Sequence, residues 1–155
     1  MDEQKDLIEE INRMKEIFLL SFCEETGYLK IKICGAKYED YKEEMDCEFN
    51  LKGIEKLIKG AKNVIEDTSI VYEIVFESYI AYSTRWESYT TRDEDETFSL
   101  GNNFRVYSQS KFLEYIKNST FASCVTEYHH YEILCEWQII DIASSSMPNI
   151  TKYIL

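Results

Sequence analysis

From Ile70 to Tyr82 the chain alternates between apolar and polar residues. Ile70, Tyr72, Ile74, Phe76, Ile80 and Tyr82 fall on one side of an extended backbone, and Glu73, Val75, Glu77 and Tyr79 on the other. A period of two is the mark of a strand with one buried face. As one strand, twenty residues of 69–90 would run about 65 Å at roughly 3.3 Å per residue. A domain of this length has a radius of gyration near ~15 Å. The segment must therefore turn back on itself, and Tyr82 to Trp86 is the expected place. A chain committed to two such strands needs partners for them, and several other stretches qualify. Leu29, Ile31 and Ile33 alternate with Lys30 and Lys32 after a Thr26-Gly27 turn. Asp46 to Phe49 reads as a short strand, Phe104 to Tyr107 as another, and 128–143 as a longer strand region. The stretch from Tyr38 to Glu44 reads as a loop or strand edge, and 151–155 as a short terminal piece of open type.

Helical spacing interrupts these strands. Leu7, Ile11, Met14 and Phe18, widened by Ile8 and Ile17, predict a helix over 3–20 that lies on a core. Asn50 is placed to cap a second helix with Ile54, Leu57, Ile58, Ala61 and Ile65 inward. Ser108 or Ser110 is placed to cap a third through Asn118, with Phe112, Leu113 and Ile116 inward. Between strands, 91–103 reads as a loop with an acidic tip closed by Gly101-Asn102-Asn103. The expectation is a single α+β domain over 1–155. Its sheet is mostly antiparallel, of about five to seven strands, with about three helices packed on it. A single proline and five glycines leave no room for linkers or low-complexity tracts.

The formal net charge is −12, from 29 acidic and 17 basic residues. Nucleic acid and anionic membrane surfaces call for a basic face that this chain does not supply. The charge suits a basic protein partner or simple solubility. Cys23, Cys34, Cys47, Cys124 and Cys135 are odd in number and contain no CxxC pair. That argues against a disulfide framework and a structural zinc site, and for core thiols in a reduced, cytoplasmic setting. The opening Met-Asp-Glu-Gln-Lys-Asp has the wrong charge for a secretion signal.

Catalytic patterns fail on spacing. His129 and His130 would point to opposite faces of a strand and could not share one ion. His129, Cys135 and Asp141 hold the residue types of a cysteine-hydrolase triad. Six strand residues would hold neighbours about 20 Å apart, however, where roughly 3 Å is needed. Counting from Asp93, the sixth and twelfth positions of a calcium loop hold Phe98 and Phe104. Glu73 and Glu77 would stand about 13 Å apart, too far for paired glycosidase carboxylates. GxSxG, GxxxxGK[ST], GxGxxG and HExxH are missing. No cofactor, metal or catalytic residue is therefore assigned.

Two features remain. Twelve tyrosines suit strands, and they also suit interfaces; Tyr79, Tyr89 and Tyr128 lie on the more polar faces. If the alternation from Tyr131 through Trp137 holds, Asp141 is expected to point inward with Ile139, buried and paired with Arg85, Arg92 or Arg105. A bulge turning it outward is the alternative.

At Phe76-Glu77-Ser78-Tyr79, Tyr107-Ser108-Gln109-Ser110 with Leu113, and Ile140-Asp141-Ile142, the chain resembles small uncharacterised proteins of Gram-positive bacteria. Some of these are grouped with the immunity proteins of polymorphic toxin systems. The resemblance spans roughly 70–145 and implies a neutralising role toward another protein, without assigning site residues. The first expectation is thus a protein-binding module, of the immunity or inhibitor kind. It would meet a basic partner through Glu73, Glu77, Tyr79, Asp93, Glu94, Asp95 and Glu96. The alternative is a small-molecule-binding domain or α+β enzyme with a pocket between sheet and helices, lined by aromatics such as Trp86, Tyr107 and Trp137. A DNA mimic shares the charge argument.

Overall fold

The computed structural model describes residues 2–40, 62–91, 94–99, 101–124 and 126–155. In chain order they form α1 (Asp2–Arg13), β1 (Ile17–Glu25), β2 (Tyr28–Asp40), β3 (Lys62–Phe76), β4 (Tyr79–Trp86) and a 3-10 turn at Glu87–Tyr89. Then come β5 (Thr97–Ser99), β6 (Phe104–Gln109), α2 (Lys111–Ser119), a 3-10 turn at Ala122–Cys124, β7 (His129–Leu134), β8 (Gln138–Ser144) and β9 (Asn149–Ile154). The fold is α+β and its strands pair antiparallel. They divide, however, into two sheets, ordered β1-β2-β3-β9 and β4-β8-β7-β6-β5. This replaces the single sheet expected from sequence, and the described residues hold two α-helices where about three were expected. The strand at 46–49 and most of the helix begun at Asn50 lie outside the described residues. Ile65, assigned to that helix, sits in β3 opposite Lys37.

The chain changes sheet at Glu77-Ser78, not between Tyr82 and Trp86. β3 pairs with β2 and β9, whereas β4 pairs with β8. The alternation could not reveal this, because both strands feed one interior. Tyr72, Ile74 and Phe76 enter it from the first sheet, and Tyr82 packs against it from the second. A bulge between Tyr79 and Ala81 resets the register. Ile80, expected beside Tyr82, accordingly packs on a second cluster made by Ile116, Ala122 and Ala143.

The shared core joins Leu29, Ile31, Ile33, Tyr72, Ile74, Phe76 and Ile150 to Phe104, Tyr131, Ile133, Ile140 and Ile142. Phe76 meets Tyr131 at 5.3 Å between ring centroids, and Phe22 meets Tyr82 at 5.1 Å. Each fully buried large side chain contributes about 1.5–3 kcal/mol, so this layer holds the two sheets face to face.

Helix α1 clasps both sheets. Ile8 and Ile11 are buried in the shared core. Gln4 behaves like a neighbouring strand, accepting from Ile150 N at 2.7 Å and donating to Ile150 O at 3.1 Å. Asn12 does the same for the second sheet, accepting from Phe104 N at 2.7 Å and donating to Phe104 O at 3.1 Å. Gly101, at φ 65°, passes so close that a Cβ would fall about 2 Å from the Asn12 amide. The helix stops at Arg13, short of the predicted Leu20. Asn103 Nδ2 donates to the carbonyls of Ile11 and Met14 at 3.0 and 2.8 Å, satisfying helix-end acceptors that continued helix would have used. Ile17 to Leu20 then run as β1. A solid apolar run fits either period, and β-branched and aromatic residues favour the strand. Among the described residues no helix is long and apolar enough to cross a membrane.

Candidate functional site

Along β8, Ile140 and Ile142 turn into the shared core, while Asp141, expected to point inward, turns instead to the outer face of the second sheet. Cross-strand pairing fixes its neighbours. Ser83 lies opposite on β4 and Glu132 on β7; Arg105 of β6 lies opposite Glu132, and Tyr107 opposite His130. The result is a row of ionisable groups on one face, roofed in part by α2. Ser110 caps that helix by accepting from Leu113 N at 3.1 Å, as expected for one of the two serines named from sequence.

Asp141 is 1% exposed. Its Oδ2 accepts from Arg85 Nη1, and its Oδ1 lies 3.0 Å from His130 Nε2. Arg85 also donates through Nη2 to Glu132 Oε2 at 3.0 Å and through Nε to Thr90 Oγ1 at 3.2 Å. The other Glu132 oxygen accepts from Arg105 Nη1 at 3.1 Å and from the Tyr107 hydroxyl at 2.9 Å. Two guanidiniums thus match two buried carboxylates, which offsets the large cost of burying each charge alone. Arg105 Nε is buried with no hydrogen-bond partner among the described residues.

His130 is 2% exposed and stacks on Tyr107 at 4.5 Å. Burial first, and the Arg85 charge second, push its pKa from 6.5 down to about 3, so it is neutral near pH 7. A carboxylate can only accept, so the imidazole proton belongs on Nε2, facing Asp141. Nδ1 then accepts from the Ser110 hydroxyl at 2.8 Å. Ser110, His130 and Asp141 are in series, as in a hydrolase triad with the ring nitrogens exchanged. Ser110 is nevertheless buried, occupied as a helix cap, and set back from the cleft wall. Lys111 N, the adjacent amide at the helix start, is taken by Glu96 Oε1 at 3.0 Å. The series orients the histidine and fixes α2; it presents no nucleophile to solvent.

Above this floor lies a cleft of about 440 Å³, lined by Ser83, Arg85, Thr91, Glu96, His130 and Asp141 among others. A second depression, of about 500 Å³ and more apolar, runs between α1 and the second sheet and carries His129, Tyr131 and Met147. The cleft is where ionisable groups converge. Among the described residues no cluster of three or more His, Cys, Asp or Glu is placed to hold a metal.

The residues named from sequence are scattered. Glu73 is on the outer face of the first sheet, 3.2 Å from Lys32 Nζ. Glu77 is exposed at the sheet-changing turn. Tyr79 donates to Glu24, which also accepts from Tyr82. Glu94 and Asp95 are exposed, Glu96 meets the start of α2, and Asp93 lies outside the described residues. Glu73 thus pairs across the first sheet, whereas Glu96 meets the start of α2 beside the second.

The triad argument also changes. The strand region 128–143 breaks at 135–137 into β7 and β8, so the assumed 20 Å spacing does not apply. The histidine that meets Asp141 is His130; His129 turns away and is exposed, as adjacent strand residues must. Cys135 is buried in the shared core, with its thiol pushed up to about 12. Cys34 is buried, Cys23 and Cys124 are exposed, and all four are free thiols. Of the pocket aromatics, Tyr107 joins the network, while Trp86 and Trp137 are 55% and 59% exposed at one end of the molecule. From sequence Ser110 has only a capping role, and Glu132 and His130 have no site role, because a helix cap, a strand glutamate and a strand histidine carry no further pattern until β6, β7 and β8 are set side by side.

The fold and site define a two-sheet α+β protein with a charged cleft on the outer face of one sheet. Comparison with protein-family models, curated proteins and solved structures gives no match for the chain.

Proposed function

We propose that the chain is a small-molecule-binding domain whose site is the cleft over Arg85, Glu132, His130 and Asp141. One observation carries this reading: among the described residues Arg85 is the most exposed charged member of the buried network, its side chain 38% exposed at the cleft floor. The core between the sheets does not use these charges, and apolar residues of similar volume would serve stability at least as well. Polar groups converging in a concavity are the usual form of a ligand site. With the carboxylates already occupied, Arg85 keeps N–H donors to spare, and Ser83 and Thr91 add hydroxyls at the wall. The ligand this favours is small and polar, rich in acceptors such as carboxylate or hydroxyl oxygens.

Saturation-transfer NMR against a panel of hydroxy acids, sugars and sugar phosphates tests it. Ser83→Leu fills the cleft from an exposed position outside the ionic network, so it should abolish binding while leaving the fold intact. Hits that bind the filled variant equally well, or a panel without hits, would sink the reading.

A further inference from the structure

We infer that the end of the molecule bearing Trp86 and Trp137 is a docking surface for a basic protein segment, with an arginine or lysine side chain lying on the indoles between glutamates. The two indoles lie outside the lining of the charged cleft, although Glu87 borders a depression that also carries Arg85 and Glu132. Trp86 ends β4 and Trp137 lies in the β7–β8 turn; Glu87 N donates to Trp137 O at 3.1 Å, which holds the two stretches together. Both indoles line a depression of about 220 Å³ floored by Phe18 and Leu19. Both are more than half exposed, and neither has a ring or cation partner among the described residues. Exposed apolar side chains are ordinary when single; two tryptophans on one concavity are the composition of a binding hot spot.

The charge around them selects the partner. Glu66 lines the same depression. Glu87 and Glu136 directly follow Trp86 and precede Trp137. Glu136 N donates to Ile17 O at 2.8 Å, which brings in Glu16. None of these four carboxylates is in an ion pair among the described residues. Three of them crowd one another: burial, then Glu16 and Glu87, raise the pKa of Glu136. An arriving cation relieves that repulsion and meets the ring best suited to cation–π contact. A neutral or acidic partner gains nothing from it.

A synthetic peptide of alternating arginine and glycine is the probe, followed by isothermal titration and tryptophan fluorescence on the whole chain at low salt. A peptide with citrulline in place of arginine is the control. Binding of the arginine peptide alone is expected, with about ten-fold weaker affinity for Trp137→Ala. Glu87→Gln with Glu136→Gln keeps side-chain shape and should weaken binding several-fold and flatten its salt dependence. Glu73→Gln, elsewhere on the molecule, should leave binding unchanged. Equal loss from Glu73→Gln would reduce the effect to net charge and overturn the proposal. So would indoles shielded from acrylamide quenching in the chain alone, whether by the chain itself or by a second copy.

Discussion

The outer faces of the two sheets carry the same chemistry in different surroundings. On the first, Lys32 and Glu73 pair at 3.2 Å, with side chains 42% and 16% exposed and the Tyr153 hydroxyl as a further partner of the glutamate. On the second, Arg85 is about as exposed as Lys32, at 38%, but its partners Asp141 and Glu132 are only 2% and 5% exposed. Helix α2 makes the difference: its cap residue Ser110 reaches His130, and Phe112 packs on the same ring at 4.9 Å. A pair reached by water is screened and contributes little. A buried pair is held by several bonds at once, and removing one member strands the rest. Position in the layers, more than residue type, decides whether an acid–base pair is decoration or architecture.

The sharpest test of that contrast is Asp141→Ala. It leaves Arg85 and His130 without their carboxylate and should cost about 3–5 kcal/mol in chemical denaturation. A loss no larger than that of a surface pair would break the comparison.

Next in size is a pH effect. The folded His130 pKa is depressed to about 3 from 6.5. Between these values the unfolded chain takes up a proton that the folded chain refuses. The stability from neutral His130 is therefore complete above 6.5 and is lost as pH falls toward 3. Denaturation midpoints should decline over that window, and His130→Gln should flatten the decline. In NMR spectra the His130 ring should not titrate between about pH 5 and 8.

The smallest effect is expected of Glu73→Gln, at ~0.5 kcal/mol or less, fading further in salt. A cost rivalling that of Asp141→Ala would place the first sheet's outer face in the same class as the second's.

Much of this layering was legible before the fold was known, at the level of local pattern. The alternation of Leu29, Ile31 and Ile33 placed β2, and that of Tyr72, Ile74 and Phe76 placed β3. Ser110 announced α2, and Asp141 in an aliphatic strand announced a carboxylate that would need a partner, with Arg85 among those named. The division into two sheets was not legible, because residues of both sheets answer to one interior and give one unbroken pattern. Nor was the start of β1, where four consecutive apolar residues fit helix and strand alike.

The sequence by itself determined which residues had to leave water, since apolar periodicity along each segment is a local property. It also set the strongly acidic balance, which is a matter of composition. Tertiary structure alone decided that Arg85, Glu132, His130 and Asp141 would meet, and that Trp86 would stand with Trp137. These contacts join residues of separate segments, from 11 positions apart for His130 and Asp141 to 56 for Arg85 and Asp141, and strand pairing follows from the free energy of the whole core, which no single segment encodes.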